Sequence, residues 1–297
     1  MVSEGTEAGY GTMQEPCESN ASPMTLKPNT HESFVVRLKL RMKSEVKPQG
    51  TYLFLISLFF VTGLVDSAAY NIWSCFVSMQ TGNTVFVGLG VSGQPVSSPA
   101  FAWTKSLLSI ICFMLGAFCF STFHRKLGST RRGTLVTSFL FQAAVTLVVA
   151  ILVTTKVVSS HVSRSRRDDP EAGVWILTMS RDINWKDLAP ISLLSFQAAG
   201  QVVTSRALRH NDLPTAVVTS MLCDTMSDAQ LLTGGVLENA KRNRRVVSAI
   251  LLFLGAMVGG FLTRSWVGLA GVLFIAATLK ALMVIAWLLW PHAKENS

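Results

Sequence analysis

The feature that most constrains this chain is a series of apolar runs, several of them about 18–24 residues long, which is enough for a helix to cross a bilayer core. Only 14% of the 297 residues are charged. Average globular proteins have about 25% charged residues. The sequence therefore predicts an all-α polytopic membrane protein whose surroundings are the lipid bilayer.

Eight segments have this apolar character. They run approximately over 51–70, 74–90, 101–123, 133–155, 187–208, 213–236, 246–262 and 266–290, within a transmembrane domain over 51–291. The polar segment 1–50 is interpreted as a disordered tail that ends in a basic juxtamembrane part. We expect this part to set orientation, with contact to anionic lipid as the alternative. A polar loop over 156–186 and a short polar tail over 292–297 complete the chain.

An internal repeat is predicted between residues 51–155 and 187–291. At an offset of about 138 residues, Gly63 falls near Gly200, Thr81 aligns with Thr219, and Ser109 falls near Ser248. Internal repeats are common in membrane transporters, whose binding sites lie where the repeats meet.

The distribution of the +9 net charge bears on topology. With a cytoplasmic N-terminus and eight full spans, the basic residues of 125–132 would lie outside, against the positive-inside rule. If the second and sixth segments are broken or re-entrant, those residues, the tail and 241–245 all lie inside. We therefore favour six full transmembrane helices and two broken or re-entrant helical segments, in two inverted repeats, and eight short spans stay the alternative. The sequence does not specify which membrane.

The second segment and the end of the first carry the candidate ligand- or ion-binding residues of the first half. These are Asp66, Asn71, Gln80, Thr81, Gly82 and Asn83. Polar residues at membrane depth are costly and usually face a bundle interior or a watery cavity. The alternative is a structural role, in which the same side chains cap broken helices or hydrogen-bond between helices.

The sixth segment carries Thr219, Ser220, Asp224 and Asp228. On one continuous helix, Asp224 and Asp228 would share a face, because they are four residues apart. We interpret this as a candidate cation or proton site, with Asp66 as a third carboxylate. The alternatives are helix capping or a location among lipid headgroups.

The fifth segment contributes Gln197 and Gln201, for which ligand contact and interhelical hydrogen bonding stay equally open. Gly255, Gly259 and Gly260 are interpreted as packing residues, because Gly255-x-x-x-Gly259 has the spacing of close helix pairs. The histidines fall at segment ends or in loops and are interpreted as solvated. We identify no metal-binding or catalytic motif, and we predict no metal, no cofactor, no nucleic-acid partner and no enzyme activity.

Three short motifs resemble a known family. They are Gly63-Leu-Val-Asp66, then Met79-Gln-Thr-Gly-Asn-Thr84, then Pro214-Thr-Ala-Val-Val-Thr-Ser220 followed by Asp224. In these the chain resembles the YoaK family of small integral membrane proteins, catalogued as domain of unknown function 1275. The resemblance covers about residues 50–290 and implies a helical membrane fold, but no substrate or activity.

Transport of a small solute or ion, with a proton or other cation as a candidate partner, is the leading functional hypothesis. The predicted repeat, the two interrupted segments and the intramembrane carboxylates favour it. A non-catalytic membrane scaffold is the alternative, with an enzyme acting on lipid as a third hypothesis. Homo-oligomerisation stays open.

Overall fold

The regular structure of this protein is helical. The computed structural model describes residues 34–47, 50–95, 101–158, 184–208, 210, 218–229, 235 and 238–291. Within these ranges lie α1 (Phe34–Lys43), α2 (Tyr52–Trp73), α3 (Gln80–Val91), α4 (Trp103–Leu127), α5 (Arg132–Thr154), α6 (Leu188–Ala207), α7 (Val218–Met226), α8 (Ala240–Arg264) and α9 (Gly268–Leu289). No sheet occurs in these ranges, so the all-α prediction is confirmed.

Five of these helices, α2, α4, α5, α8 and α9, are long and apolar enough to cross a membrane. The protein is therefore a multi-pass integral membrane protein in contact with the bilayer. Helix α6 has a comparable 20 residues, but no stretch of it is as apolar as those of these five helices. At 12 and 9 residues, α3 and α7 are too short to cross a hydrocarbon core of about 30 Å.

The boundaries of the two short helices differ from the sequence prediction. The second segment was expected to be helical from residue 74, but 74–79 form a non-helical turn, and Ser74 has a left-handed φ of 56°. In the sixth segment α7 is the described helix, and residues 211–217 and 230–234 lie outside the described ranges. Helix α1 forms within the segment predicted to be a disordered tail. Residues 1–33, most of the loop over 156–186, and the tail over 292–297 also lie outside those ranges.

The helices pack in three principal pairs. Helix α2 lies against α8, α4 against α6, and α5 against α9. The α2–α8 pair is close because a methyl group on Gly255 would overlap the Phe60 carbonyl oxygen, and one on Gly259 would overlap the Leu64 carbonyl oxygen. The predicted packing role is therefore confirmed for these two glycines. It is wrong for Gly260, because a Cβ at that position would have no neighbour within 4 Å.

One end of the helix bundle contains most of the basic residues that the structure describes. The Val46 amide donates to the Thr130 carbonyl at 3.0 Å, and the Trp290 indole donates to the Lys47 carbonyl at 3.1 Å. The Arg244 guanidinium lies 3.8 Å from the centre of the Tyr52 ring. These contacts bring the starts of α2, α5 and α8 together with the ends of α4 and α9, and we call this region the basic end.

The opposite end of the bundle contains the starts of α4 and α6. There the Lys105 ammonium lies 3.1 Å from the Asp187 carboxylate. Helix α3 follows the end of α2 and packs on the start of α4, so it lies at this opposite end. Helix α7 packs on the start of α8, so it lies at the basic end. The two short helices are therefore at different ends of the bundle.

Candidate functional site

The polar turn between α2 and α3 is held by Asp66, which is buried in the last third of α2. Its Oδ1 accepts hydrogen bonds from the backbone amides of Val77 at 2.8 Å and Ser78 at 2.9 Å. Its Oδ2 accepts a bond from the Ser78 hydroxyl. Unpaired backbone amides are costly at membrane depth, and a carboxylate is a strong acceptor for them. Asp66 therefore satisfies the backbone of the turn that follows α2.

Asn83 fixes the other side of the same turn. Its amide oxygen accepts from the Phe76 amide at 3.0 Å, and its nitrogen donates to the Phe76 carbonyl at 2.7 Å. The same nitrogen donates to Gln80 Oε1 at 2.9 Å and to Ser109 Oγ on α4 at 3.0 Å. The Gln80 backbone amide donates to the Ser78 carbonyl at 3.2 Å. Asp66, Ser78, Gln80, Asn83 and Ser109 are thus one hydrogen-bonded group, which we call the turn cluster.

The turn cluster is connected to α6. The hydroxyl groups of Ser109 and Ser195 lie 2.8 Å apart. Further along α6, Gln201 accepts a bond from the Thr62 hydroxyl of α2 at 3.2 Å. Buried serine and glutamine side chains therefore join α6 to both α2 and α4.

A pocket of about 430 Å³ lies beside the turn cluster. Asp66, Ser67, Tyr70 and Asn71 line it from α2. Its other lining residues, most of them apolar, are Gly63, Phe76, Met79, Ala256 and Gly260. A mainly apolar cleft with a few polar groups is the usual form of a small-molecule site.

A second buried polar group lies on the α5–α9 pair. Lys280 of α9 donates to Gln142 Oε1 of α5 at 3.3 Å and to Gln197 Oε1 of α6. All three residues lie near the middle of their helices. We call this group the lysine cluster.

The acidic residues of the sixth segment do not form the predicted strip. Helix α7 ends at Met226, so Asp224 and Asp228 do not share a helical face, and that prediction is wrong. The Asp224 side chain is 55% exposed and lies 3.7 Å from the Arg245 guanidinium. Asp228 lies in the turn that follows, where its carboxylate accepts from the side-chain Nδ2 of Asn239 at 2.8 Å. Serine and aspartate favour such turns because they hydrogen-bond to nearby polar groups in non-helical conformations.

These two aspartates are also distant from Asp66. They lie beside the start of α8 at the basic end, whereas the turn that Asp66 holds is at the opposite end. The three carboxylates therefore do not form one site. Thr219 and Ser220 are exposed on α7.

The remaining predicted residues surround the turn cluster. Asn71 is exposed and donates to the Thr263 hydroxyl of α8 at 3.1 Å. Thr81 is exposed on α3 and lies outside the cluster. Gly82 leaves space for the Phe76 ring, whose nearest atom lies 2.8 Å from the position that a Cβ would take. Phe76 in turn stacks on Tyr70, with ring centres 5.0 Å apart.

Sequence reasoning did not identify Lys280, Gln142 and Ser109 as candidate site residues. The signal for Lys280 was present, because it is the one charged residue of α9 and an ionisable group in a transmembrane helix is a functional candidate by default. The interpretation of the histidines as solvated is wrong for His124, because its side chain is buried.

The part of the chain that contains the turn cluster and the lysine cluster matches a known protein family. A family model described as protein of unknown function, DUF1275, matches residues 54–286. This chain belongs to the DUF1275 family. The resemblance that its three motifs predicted is therefore confirmed. The DUF1275 match begins near the start of α2 and ends near the end of α9, so it includes the turn cluster, the pocket and the lysine cluster. No curated protein and no solved structure matches the chain.

Proposed function

We propose that this DUF1275 protein transports a small solute or ion rather than catalysing a reaction. The single observation that carries the proposal is the pocket of about 430 Å³ beside the turn that separates α2 from the short helix α3. Non-helical backbone at membrane depth is tolerated only where it is buried or lines a cavity, and broken helices in transporters lie at the substrate site. Here the turn over 74–79 contributes Phe76 and Met79 to the pocket wall.

The helix order supports an arrangement in two inverted halves. We propose that α2, α3, α4 and α5 form one half and that α6, α7, α8 and α9 form the other. Under this correspondence the α2–α8 pair is equivalent to the α6–α4 pair, and both are found. Helices α5 and α9 are equivalent to each other under this correspondence, so their contact would lie on the axis that relates the halves. Inverted repeats of this kind are a known basis of alternating access.

The positions of α3 and α7 at different ends support the same arrangement. In an inverted pair of halves, equivalent re-entrant segments enter from opposite sides of the membrane. We propose six full spans, with α6 as the sixth, and a cytoplasmic basic end. The positive-inside rule supports that orientation, because α1, the α4–α5 connection and the start of α8 all carry lysine or arginine there.

The pocket suggests the size and character of the solute. Its lining is mainly apolar, and polar groups are contributed by Asp66, Ser67, Tyr70 and Asn71. The Asp66 carboxylate already accepts three hydrogen bonds from the turn. We therefore infer that the solute is a small, largely apolar molecule with one polar group, recognised chiefly by Tyr70 and Asn71.

A flux assay with a filled pocket tests the proposal. The purified protein would be reconstituted into liposomes and supplied in turn with labelled amino acids, sugars, nucleosides, carboxylates, amines and inorganic ions. Gly260→Leu should abolish the flux, because Gly260 lines the pocket and has open space beside its Cα. Gly88→Leu is the matched control, since Gly88 also has open space but lies on α3 outside the pocket lining.

Two outcomes would contradict transport through this pocket. One is wild-type flux no higher than that of empty liposomes for every solute class. The other is a Gly260→Leu protein that folds and retains full flux. The first outcome would favour the alternative of a non-catalytic membrane scaffold, and the second would move the solute path elsewhere in the bundle.

A further inference from the structure

The lysine cluster contains a buried amine with neutral partners. Lys280 is 1% exposed, Gln142 is 0% exposed and Gln197 is 2% exposed. Among the described residues, the groups within hydrogen-bonding distance of the amine are the two glutamine amide oxygens. A charged side chain at membrane depth normally pairs with an opposite charge, and Lys280 has no such pair within the described ranges.

Charged groups on the helices around α9 bind other groups or lie near the helix ends. On α2, the carboxylate of Asp66 binds the turn after that helix. At the start of α5, Arg132 donates to the Trp290 carbonyl. On α6, Arg206 is exposed in the last turn. The charged residues of α8 lie in its first two turns and at its last residue and comprise Lys241, Arg242, Arg244, Arg245 and Arg264. Of the tyrosines on α2, Tyr52 lies under Arg244 and Tyr70 stacks on Phe76.

The number of hydrogen-bond donors also distinguishes the two forms of this amine. An ammonium has three N–H donors, whereas a neutral amine has two and a lone pair. The two glutamine oxygens match the two donors of the neutral amine. The orientation of each glutamine amide group is fixed by its nitrogen. Gln142 Nε2 donates to Ser138 Oγ at 3.3 Å, and Gln197 Nε2 donates to the Leu194 carbonyl at 3.0 Å.

The cluster has little room for a solute. Gly200 lies beside it, and a Cβ there would be 2.7 Å from Gln142 Nε2, so the glutamine side chain occupies the space that a side chain at 200 would need. A proton needs no such space. Lysine can lose a proton, whereas arginine stays charged in proteins.

We propose that Lys280 is a proton-binding site at the centre of the bundle. The neutral amine takes a proton from water on its lone pair when the α5–α9 pair opens on one side. The ammonium returns that proton to water on the other side, and the closed cluster again holds the neutral amine between Gln142 and Gln197. Gln142 and Lys280 are 138 positions apart, which is the offset of the proposed repeat, so the amine and its partner occupy equivalent places in the two halves. The coupling of this proton to solute movement rests on the proposed function, but the binding of the proton does not.

The charge state of Lys280 tests the binding directly. Protein labelled with nitrogen-15 at lysine Nζ would be studied by NMR in lipid nanodiscs across a pH titration. We expect one resonance, absent from Lys280→Met, to change between the ammonium and amine forms while the exposed lysines remain ammonium. Lys280→Gln provides a second assignment, because it can still hydrogen-bond to both glutamines if the methionine variant does not fold. A Lys280 resonance that stays ammonium at every pH would overturn the proposal and make the residue a fixed cation.

Proton flux into liposomes that contain a pH-sensitive dye, under an imposed membrane potential, tests the coupling. We expect Lys280→Gln to reduce the solute-dependent proton flux to the level of empty liposomes. Lys241→Gln should leave it unchanged, since Lys241 is exposed at the start of α8. A titrating Lys280 without solute flux would retain the proton site and remove the transport function. Solute flux with a permanently charged Lys280 would retain the transport function and remove the proton site.

Discussion

The carboxylate of Asp66 accepts hydrogen bonds from both the backbone amide and the hydroxyl of Ser78, twelve positions further along the chain. This pairing closes the gap between α2 and α3. Asp66→Asn should lower the free energy of unfolding by about 2 kcal/mol, because the bonds from the Val77 and Ser78 amides lose their charged acceptor and an NH₂ group replaces the oxygen that accepts from the Ser78 hydroxyl. The thermal midpoint of the purified protein, measured by the loss of its monodisperse chromatographic peak after heating, checks this expectation.

The control for this prediction is Asn71→Ala. Asn71 is exposed and donates one hydrogen bond, to Thr263, so its loss should cost less than about 1 kcal/mol. Equal midpoints for Asp66→Asn and the wild type would show that the turn does not depend on this carboxylate.

Two adjacent glycines of α8 should respond in opposite ways to the same change. Gly259→Ala should destabilise the protein by about 1–3 kcal/mol, because the new methyl group would overlap the Ser67 hydroxyl and the Leu64 carbonyl oxygen. Gly260→Ala should be neutral or slightly stabilising, because that position has open space and alanine is the better helix former. Thermal midpoints of the two variants in one detergent make the comparison. Similar losses in both would contradict a close α2–α8 contact at Gly259.

The ion pair between Lys105 and Asp187 joins the starts of α4 and α6. Lys105→Met should destabilise the protein by about 1–3 kcal/mol, because it removes the Lys105 ammonium from the buried Asp187 carboxylate. Lys186→Met is the matched control, since Lys186 is exposed beside Asp187 and its loss should change stability by less than about 0.5 kcal/mol.

A double-mutant cycle separates this ion pair from general effects of the substitutions. Adding Asp187→Asn to Lys105→Met should restore part of the lost stability, because the buried negative charge that lost the Lys105 ammonium is then removed. Strictly additive losses in the double variant would contradict direct coupling between the two residues.

The proposed orientation predicts which introduced cysteines react from outside. In a protein whose native cysteines are replaced, Lys43→Cys and Lys241→Cys should be protected from a membrane-impermeant thiol reagent in intact cells. Gln94→Cys and Ser265→Cys should react, because both are exposed and lie near the end opposite the basic end. Labelling of Lys43→Cys together with Gln94→Cys would contradict this topology.

The helices of this protein are largely predictable from its sequence, because a chain in a bilayer must satisfy its backbone within each span. The location of a break near Asp66 was also predictable from its polarity. Its partners were not, because the amides of Val77 and Ser78 belong to the backbone and have no signature in the residue types. The prediction that Asp224 and Asp228 share a helical face was wrong, because residue spacing alone does not indicate where a helix ends.

The lysine cluster was less accessible to sequence reasoning. Lys280 lies 138 and 83 positions from Gln142 and Gln197, so their meeting depends on the packing of three helices. Glutamine at membrane depth indicates a buried polar contact, but it does not identify its partner. The charge of Lys280 was visible in the sequence, and its isolation from every carboxylate of the described residues became visible only in the fold.

The pairing of α2 with α8, and of α4 with α6, has a consequence for biosynthesis. Helix α2 leaves the ribosome long before α8, which packs against Gly63 of α2 and begins only at residue 240. The early helices must therefore stay in the membrane with their final neighbours unmade. Termination of synthesis after α5 would leave α2, α4 and α5 without their principal partners, and such a product would be a substrate for membrane quality control.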